Sequence, residues 1–453
     1  MHIILLSGGS GKRLWPLSNG TRSKQFLQLL QSPTGEPESM VQRVARQIAE
    51  AHLTSHITFA TSETQRDSIL SQLGDGVDIV TEPMRRDTFP AIALSTGYLA
   101  LEKGCSRDEV VVVMPCDCYT DSGYFETIRQ MVTCVEQSVA DLVLMGVTPT
   151  YASTKYGYVV PVAEDTNDYK RVLKFAEKPT VERAEELLQK GAYWNGGVFA
   201  FRLGYMMDIL SQYLSVDNFT ELRDRYAELP KISFDYEVVE KAASVAVVTF
   251  AGMWRDLGTW NALVEELPRS SIGNVILGEQ ATNSMVINEL SIPLVCNGVD
   301  NIIVAASYDG ILVCSKESSE HIKPYVEPID SRPMLEQRRW GSYKVINNVT
   351  YADGTCSLTK ELNLHPGCHI SYQVHHHRDE IWTFVDGEGL LVIDGKTIHV
   401  TRGDVYSIKK EQHHAVKAIT PLQIIEVQVG NPLVEEDIER FDLDWDVVIP
   451  CNS

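Results

Sequence analysis

Short apolar runs recur through the first half of the chain: IILLS, HITFA, EVVVVMP and LVLMGV. Each is short and apolar at successive positions, which reads as a strand buried on both faces. Between them lie stretches such as SMVQRVARQIAEA, whose apolar positions recur at helical spacing. This alternation predicts an α/β, Rossmann-like domain over residues 1–265, built on a mostly parallel, doubly wound sheet. Over residues 266–330 the runs shorten to NVILG, SMVIN, IPLVCNG, NIIVAAS and ILVCSK, divided by turns. A small β-rich, β-helix-like middle domain is expected there. The polar segment EPIDSRPMLEQ, Glu327 to Gln337, carries prolines and no periodicity, and reads as a linker. Over 338–453, CSLTKELNL, EIWTFV, GLLVIDG, KTIHV and LQIIEVQ alternate at roughly ten-residue spacing, as in a small antiparallel β-barrel.

A chain of 453 residues, 44% hydrophobic, can bury more than one core. Lys and Arg number 40 against 61 Asp and Glu, net −21, with the acidic residues scattered along the chain. That balance argues against nucleic acid as a partner. A polyphosphate ligand remains compatible if a few cations converge and a divalent ion bridges the remaining charge, so Mg²⁺ is expected. The opening MHIILLSGGSG turns into glycines after a few apolar residues and reads as a buried strand, not a signal peptide. No stretch approaches the roughly 20 apolar residues of a membrane span. The 9 cysteines, Cys105 to Cys451, are odd in number and lack zinc-finger spacing, as expected of reduced thiols in a cytoplasm.

The first strand runs into GGSGKRLWPLS. Gly8, Gly9 and Gly11 let the backbone approach a triphosphate and present N–H donors to its oxygens. Lys12 and Arg13 lie within the loop and Lys24 follows in SKQF, so positive charge can gather on a leaving pyrophosphate. Such a site works by electrostatics, without a covalent nucleophile. Neither a Walker sequence nor GxGxxG is present.

The wording GGSGKRLWPLS…SKQF resembles the pyrophosphorylase signature of sugar nucleotidyltransferases, specifically the mannose-1-phosphate guanylyltransferase family. The resemblance continues in register through EPMRRDTFPAIAL, VVVMPCDC, YGYVVP, FAEKP, WNGGVFAF and WRDLGTWNAL. It implies GTP and mannose 1-phosphate as substrates, and Asp117 and Asp256 as Mg²⁺ ligands; Asp117 also ends a strand, where α/β sheets place ligand-contacting groups. It further implies Lys178 at the phosphate of the sugar 1-phosphate, Glu177 at the sugar hydroxyls, and Gly157 and Asn195 at the hexose. The chain departs from the usual wording at Ser7, Lys12, Ser23, Asp87, Cys116 and Cys118. Asp87 falls in the motif that approaches the nucleobase, where a carboxylate can accept from guanine N1–H and N2–H₂ together.

In the last third, Gly367, Gln373, His375, Glu380 and Gly387 keep the spacing of a first cupin motif, with Gln373 for its first histidine; Gly403 and His414 match the second. Gln373 and His375 share one face of a strand, so both can enter a barrel. With Glu380 and His414 they form an N/O site for Zn²⁺ or a similar divalent ion, suited to aldose–ketose isomerisation. QVHHHRDEIW, preceded by RRWGSY, resembles the QxHHHRxEHW hallmark of the isomerase domain of type II phosphomannose isomerases. That implies interconversion of fructose 6-phosphate and mannose 6-phosphate, with Arg378 neutralising charge on the hexose 6-phosphate. Ile381 replaces a histidine of the hallmark, and Asp386 and Glu388 alter the following turn, so metal binding is better supported than isomerisation.

Three readings follow. One is a bifunctional enzyme; another is a nucleotidyltransferase with a metal-binding but non-isomerising barrel and a different nucleotide or hexose; the third is a sugar-nucleotide sensor. Lys24, Asp117, Lys178 and Asp256 argue against the last, because a sensor has no need of catalytic charge. The strand-rich middle domain suits a homodimer interface.

Overall fold

The computed structural model describes residues 1–9, 11–162, 168–329, 332–434, 437–442 and 445. Residues 330–331 of the expected linker and Cys451 lie outside this set.

A nine-stranded sheet forms the first layer. Its order is Asp78–Glu82, Ile57–Ser62, His2–Leu6, Val110–Pro115, Tyr193–Arg202, Leu142–Val147, Val245–Phe250, Tyr169–Ala176, Tyr158–Pro161. The first four strands are parallel. Tyr193–Arg202 runs antiparallel to both neighbours, and the last two pairings are also antiparallel. The sheet is the mostly parallel one expected, with Tyr193–Arg202 and Tyr169–Ala176 running against the other strands. Apolar runs report burial on both faces but carry no strand direction, which the connections decide.

Helices cover both faces, and separate apolar clusters fill the two sides. The helix Met40–Glu50 begins at Ser39, whose hydroxyl accepts from the Gln42 N–H while Gln42 returns a bond to Ser39 N, a reciprocal cap. Its buried residues Val41, Val44 and Ile48 recur at the spacing the sequence announces.

In the middle region Ser271–Gly273, Met285–Asn288 and Ile302–Ser307 stack in parallel, and Val275–Leu277 pairs in parallel with Leu294–Cys296. Successive rungs with a turn between faces make the expected β-helix-like coil. Gly310–Ser315 closes it antiparallel. A third apolar cluster joins this coil to the glycine-rich loop: Leu14 and Leu17 pack with Leu257, Trp260, Ile287 and Ile303. Polar ties reinforce the seam: Ser307 Oγ donates to Pro16 O at 2.8 Å, and Arg22 grips Glu289 through two bonds of 2.8 and 2.9 Å.

The strand Leu335–Arg338 occupies the carboxy-terminal end of the expected linker and pairs with Gly341–Thr350. Beyond it, a six-stranded and a five-stranded antiparallel sheet face each other as a barrel. Along Cys356–Leu364 inward positions alternate with outward ones, and Leu358, Leu362, Trp382, Phe384 and Ile424 fill its apolar interior. His369–Val374, Val405–Ile408, His414–Ala418 and Glu439–Asp442 are strands that the apolar alternation does not announce. His369–Val374 and His414–Ala418 turn polar residues inward, which erases the hydrophobic signal of a strand. Among the described residues, no helix is long and apolar enough to cross a membrane.

Ile303, fully buried between coil and loop, gives a test of this seam. Ile303→Ala should lower unfolding stability by about 2–5 kcal/mol, read by urea denaturation. A loss below about 0.5 kcal/mol would mean the coil does not support the loop.

Candidate functional site

The glycine-rich loop has a backbone that only glycine allows at one position. Gly11 has φ +68°, and a Cβ there would lie 1.8 Å from Asn19 O. The loop then carries the chain to Lys24, whose ammonium lies 2.8 Å from Asp117 Oδ2 and 3.0 Å from Asp256 Oδ1. These carboxylates meet because the short strands Cys118–Thr120 and Trp254–Asp256 pair antiparallel, with Cys118 opposite Asp256. Gly258 leaves them room: a Cβ there would sit 2.9 Å from Asp256 Oδ1 and 3.0 Å from Lys24 Nζ. Burial opposes the charge on Lys24, but Asp117 and Asp256 outweigh it and its pKa is raised overall. Cys116 and Cys118 flank Asp117 as inert thiols, with burial pushing Cys116 up to about 12.

The two loop cations part company. Arg13 is exposed and, among the described residues, holds no hydrogen bond or ion pair, so its guanidinium is free for an anion. Lys12 instead donates to Ile329 O at 2.8 Å and Glu327 O at 3.2 Å. It ties the loop to the end of the middle region, and these carbonyls would compete with a triphosphate for the same ammonium.

Gly157, Glu177 and Asn195 come together. A Cβ on Gly157 would lie 2.4 Å from Glu177 Oε2 and 3.4 Å from Asn195 Cβ, and Asn195 N donates to Gly157 O at 2.8 Å. Lys178, exposed and held at φ +42°, lies 3.0 Å from Glu177 Oε1. The sequence reading missed Asp235, which accepts from Asn195 Nδ2 at 2.6 Å. Burial, then the charge of Glu177, raises its pKa to about 6. No motif marked it; its only signal was an Asp opening a helical stretch. An aromatic wall runs from Trp194 through Tyr156 to Trp254, with ring centroids 5.0 and 5.1 Å apart. It connects Asn195 with Asp256, two residues past Trp254.

Asp87 is exposed, and its carboxylate accepts from Thr88 N at 2.8 Å as the cap of helix Thr88–Leu101. A base that used both its oxygens would compete with this cap. Glu82, also unremarked in the sequence, lies nearer the loop: its Oε1 would lie 3.9 Å from a Cβ on Gly8, while Oε2 accepts from Tyr226 OH at 2.6 Å. Burial raises the Glu82 pKa despite that bond.

In the barrel, His375, Glu380 and His414 are buried, with ligand atoms within 4.8 Å of one another. His375 Nδ1 lies 2.5 Å from Asp437 O and His414 Nδ1 3.0 Å from Gln412 O. A carbonyl at Nδ1 fixes the proton there and turns the Nε2 lone pair inward, as a metal-binding imidazole requires. His414 Nε2 is buried without a hydrogen bond, so the donor set fits a divalent cation. Gln373 borders the set, its Nε2 3.3 Å from His375 Nε2. His376 and His377 are exposed and pair with Glu411, Glu439 and Asp437 instead.

Arg378 differs from its expected role. It is buried, donating to Glu380 Oε1 at 2.9 Å and to the carbonyls of Val434 and Asp437 at 3.1 and 3.2 Å. A guanidinium so engaged orients Glu380; it is not presented to a phosphate. Ile381 stands on the outer face of its strand, 40% exposed, while its neighbours Glu380 and Trp382 point inward. The missing hallmark histidine therefore belonged outside the barrel, and its loss removes nothing from the cavity. Asp386, at the end of that strand, pairs with Arg402 in solvent.

The nucleotidyl transferase family model matches residues 2–270, and the mannose-6-phosphate isomerase C-terminal model residues 333–443. The alginate biosynthesis protein AlgA of Pseudomonas putida is 31% identical over 97% of this chain and 95% of its own length. A mannose-1-phosphate guanylyltransferase of Klebsiella pneumoniae is 30% identical over 97% and 98%. A crystal structure described as a mannose-1-phosphate geranyltransferase from Thermus thermophilus aligns with TM-score 0.61 and 30% identity, over 73% of this chain and 99% of that one. The two family models and the relatives that span 97% of the chain agree with the sheet and the barrel: the chain belongs to the mannose-1-phosphate guanylyltransferase family that carries a carboxy-terminal mannose-6-phosphate isomerase domain.

Proposed function

We propose that the amino-terminal site joins mannose 1-phosphate to GTP, giving GDP-mannose and pyrophosphate. The observation that carries this reading is the convergence of Lys24, Asp117 and Asp256 beside a glycine-rich loop. A phosphate oxygen of the sugar attacks the α-phosphorus; the bond to the β-phosphate's bridging oxygen breaks and pyrophosphate leaves. Asp117 and Asp256 would hold Mg²⁺, which supplies charge neutralisation to the triphosphate when bound. Lys24, released from its carboxylates, then faces phosphate oxygen, and Arg13 is free to meet the leaving group. Gly8, Gly9 and Gly11 offer backbone to the triphosphate. Glu177 and Asn195 would hold hexose hydroxyls around the space that Gly157 leaves open, with Lys178 at the sugar phosphate. Asp87 and Glu82 are the carboxylates within reach of a guanine.

The barrel supports a second activity, interconversion of fructose 6-phosphate and mannose 6-phosphate. The outward placement of Ile381 favours it, because the departure that counted against isomerisation leaves the cavity intact. His375, Glu380 and His414, bordered by Gln373, would hold a divalent ion such as Zn²⁺, which supplies Lewis acidity to a sugar carbonyl when bound.

Asp117→Asn and Asp256→Asn should each lower pyrophosphate release by at least about 100-fold, the scale of one electrostatic group. Near-normal turnover in either variant sinks the metal assignment. Release should be fastest for GTP with mannose 1-phosphate among the four nucleoside triphosphates and several hexose 1-phosphates. Asp87→Ala or Glu82→Gln should erode that preference, and a wild-type preference for CTP, UTP or dTTP would refute the guanine reading. Elemental analysis should find about one divalent ion in the barrel per chain, lost in His375→Ala and His414→Ala, since each removes one of few strong ligands. Metal-free wild type after purification with added Zn²⁺ would overturn the barrel site.

A further inference from the structure

Isomerisation moves a proton between neighbouring sugar carbons, so it needs a proton carrier that is not itself spent on a metal. In this barrel the ring nitrogens of His375 and His414 face the ligand set or a backbone carbonyl, and Glu380 is a ligand candidate. Asp437 accepts from the N–H groups of His376 and His377 and contacts Arg378. Glu336 is taken by Arg338. Among the described residues, one further buried carboxylate lines the interior: Glu426.

Glu426 lies one layer below the ligand set. It faces inward from the strand Leu422–Gly430, opposite Trp382 on one neighbour and Lys360 on the other. Its Oε1 accepts from Trp382 Nε1 at 3.2 Å, and the same N–H lies 3.1 Å from Glu380 Oε2. Its Oε2 accepts from Gln428 Nε2 at 3.0 Å, and that amide also reaches Glu380 Oε1 at 3.2 Å. Trp382 stacks edge-on against His414, with centroids 5.4 Å apart, so Glu426 shares a wall with the metal-ligating cluster. Lys360, buried 4.5 Å above the Tyr343 ring, stands in register with Glu426 on the neighbouring strand, a cation on the same inner face as the carboxylate. A Lys and a Glu buried in the barrel cost several kcal/mol of desolvation, which leucines there would avoid. That cost, beside the ligand set, marks Glu426 as a functional group.

We propose that Glu426 is the proton carrier of the isomerase site, positioned by Lys360, Trp382 and Gln428. Glu426 takes the proton from C1 of fructose 6-phosphate; the C–H electron pair becomes the C1=C2 bond as the C2=O π pair moves onto O2, giving an enediolate. It returns the proton to C2 as the double-bond pair closes on that carbon, while a hydroxyl proton passes from O1 to O2 and C1 becomes the aldehyde. The proposal rests on the isomerase reading. No atom is gained or lost, and no oxidant is needed.

The full chain loaded with Zn²⁺ tests it. Glu426→Gln should lower kcat for isomerisation by at least about 100-fold, the scale of a general base, with KM within about threefold. Exchange of deuterium from solvent into C1 of fructose 6-phosphate should fall by the same factor. Zn²⁺ affinity by calorimetry and pyrophosphate release at the other site should stay within about twofold of wild type, which reports an intact fold. Glu426→Asp, which keeps the carboxylate, should recover part of the exchange. Normal exchange in Glu426→Gln, or loss of Zn²⁺ together with activity, overturns the proposal, the latter by making Glu426 a support of the ligands. Wild type that binds Zn²⁺ yet neither isomerises nor exchanges overturns the isomerase reading itself.

Discussion

The amino-terminal site depends on one arrangement of charge: an ammonium held between two carboxylates from distant parts of the chain. Lys24 comes from the segment after the glycine-rich loop, Asp117 from the end of a central strand, and Asp256 from a short strand paired beside it. Two carboxylates this close repel unless a cation sits between them, and a buried lysine needs both to keep its charge. Each group therefore requires the others, and the surrounding fold is what makes them meet. The sheet sets Asp117 just past the end of a central strand, the two-strand pairing brings up Asp256, and Gly258 leaves the room that Asp256 and Lys24 occupy. In the proposed reading a divalent ion takes the ammonium's place, balancing both carboxylates where the ammonium offsets one, and the lysine turns to phosphate.

Much of this was legible in the sequence, and the limits have physical causes. Lys24, Asp117 and Asp256 stand in wording that points to one chemistry, and the structure brings them within 3.0 Å. His375, Glu380 and His414 were legible from spacing, because a strand sends alternate residues to one face. Which strands reverse was not legible, since parallel and antiparallel strands buried on both faces share one apolar pattern. The bonds of Lys12 were not legible, because a loop cation reads the same whether it meets phosphate or a carbonyl more than 300 residues away. Asp235, Glu82 and Glu426 were missed for a related reason. Each draws its meaning from partners far along the chain, namely Asn195, Tyr226 and Lys360, and no local spacing encodes them.

The barrel follows the opposite logic from the first domain. Its sheets bury an apolar floor of Leu362, Phe384 and Ile424, then change to charged and amide side chains toward the ligand set. Every oxygen of Glu380 and Glu426 receives an N–H from Arg378, Trp382 or Gln428. A half-satisfied network of this kind would destabilise the barrel more than an apolar one of equal volume. The full set of bonds fixes the carboxylates in place before any ligand arrives, so no binding energy is spent on ordering them.

The glycine-rich loop is fixed from behind by the other two regions. Leu14 and Leu17 pack into the coil, Pro16 and Arg22 bond to it, and Lys12 reaches the carbonyls where it ends. Asp309 goes further: one carboxylate oxygen accepts from Asn19 of the loop at 2.6 Å, and the other accepts from Met334 N, one residue before the first barrel strand, also at 2.6 Å. A loop that must present backbone N–H groups in a fixed fan loses little entropy on binding if it is already held. The coil supplies that hold, which gives a physical reason for a β-helix-like region between two sites it does not itself form. Asp309 thus holds the glycine-rich loop and the start of the barrel by the two oxygens of a single side chain.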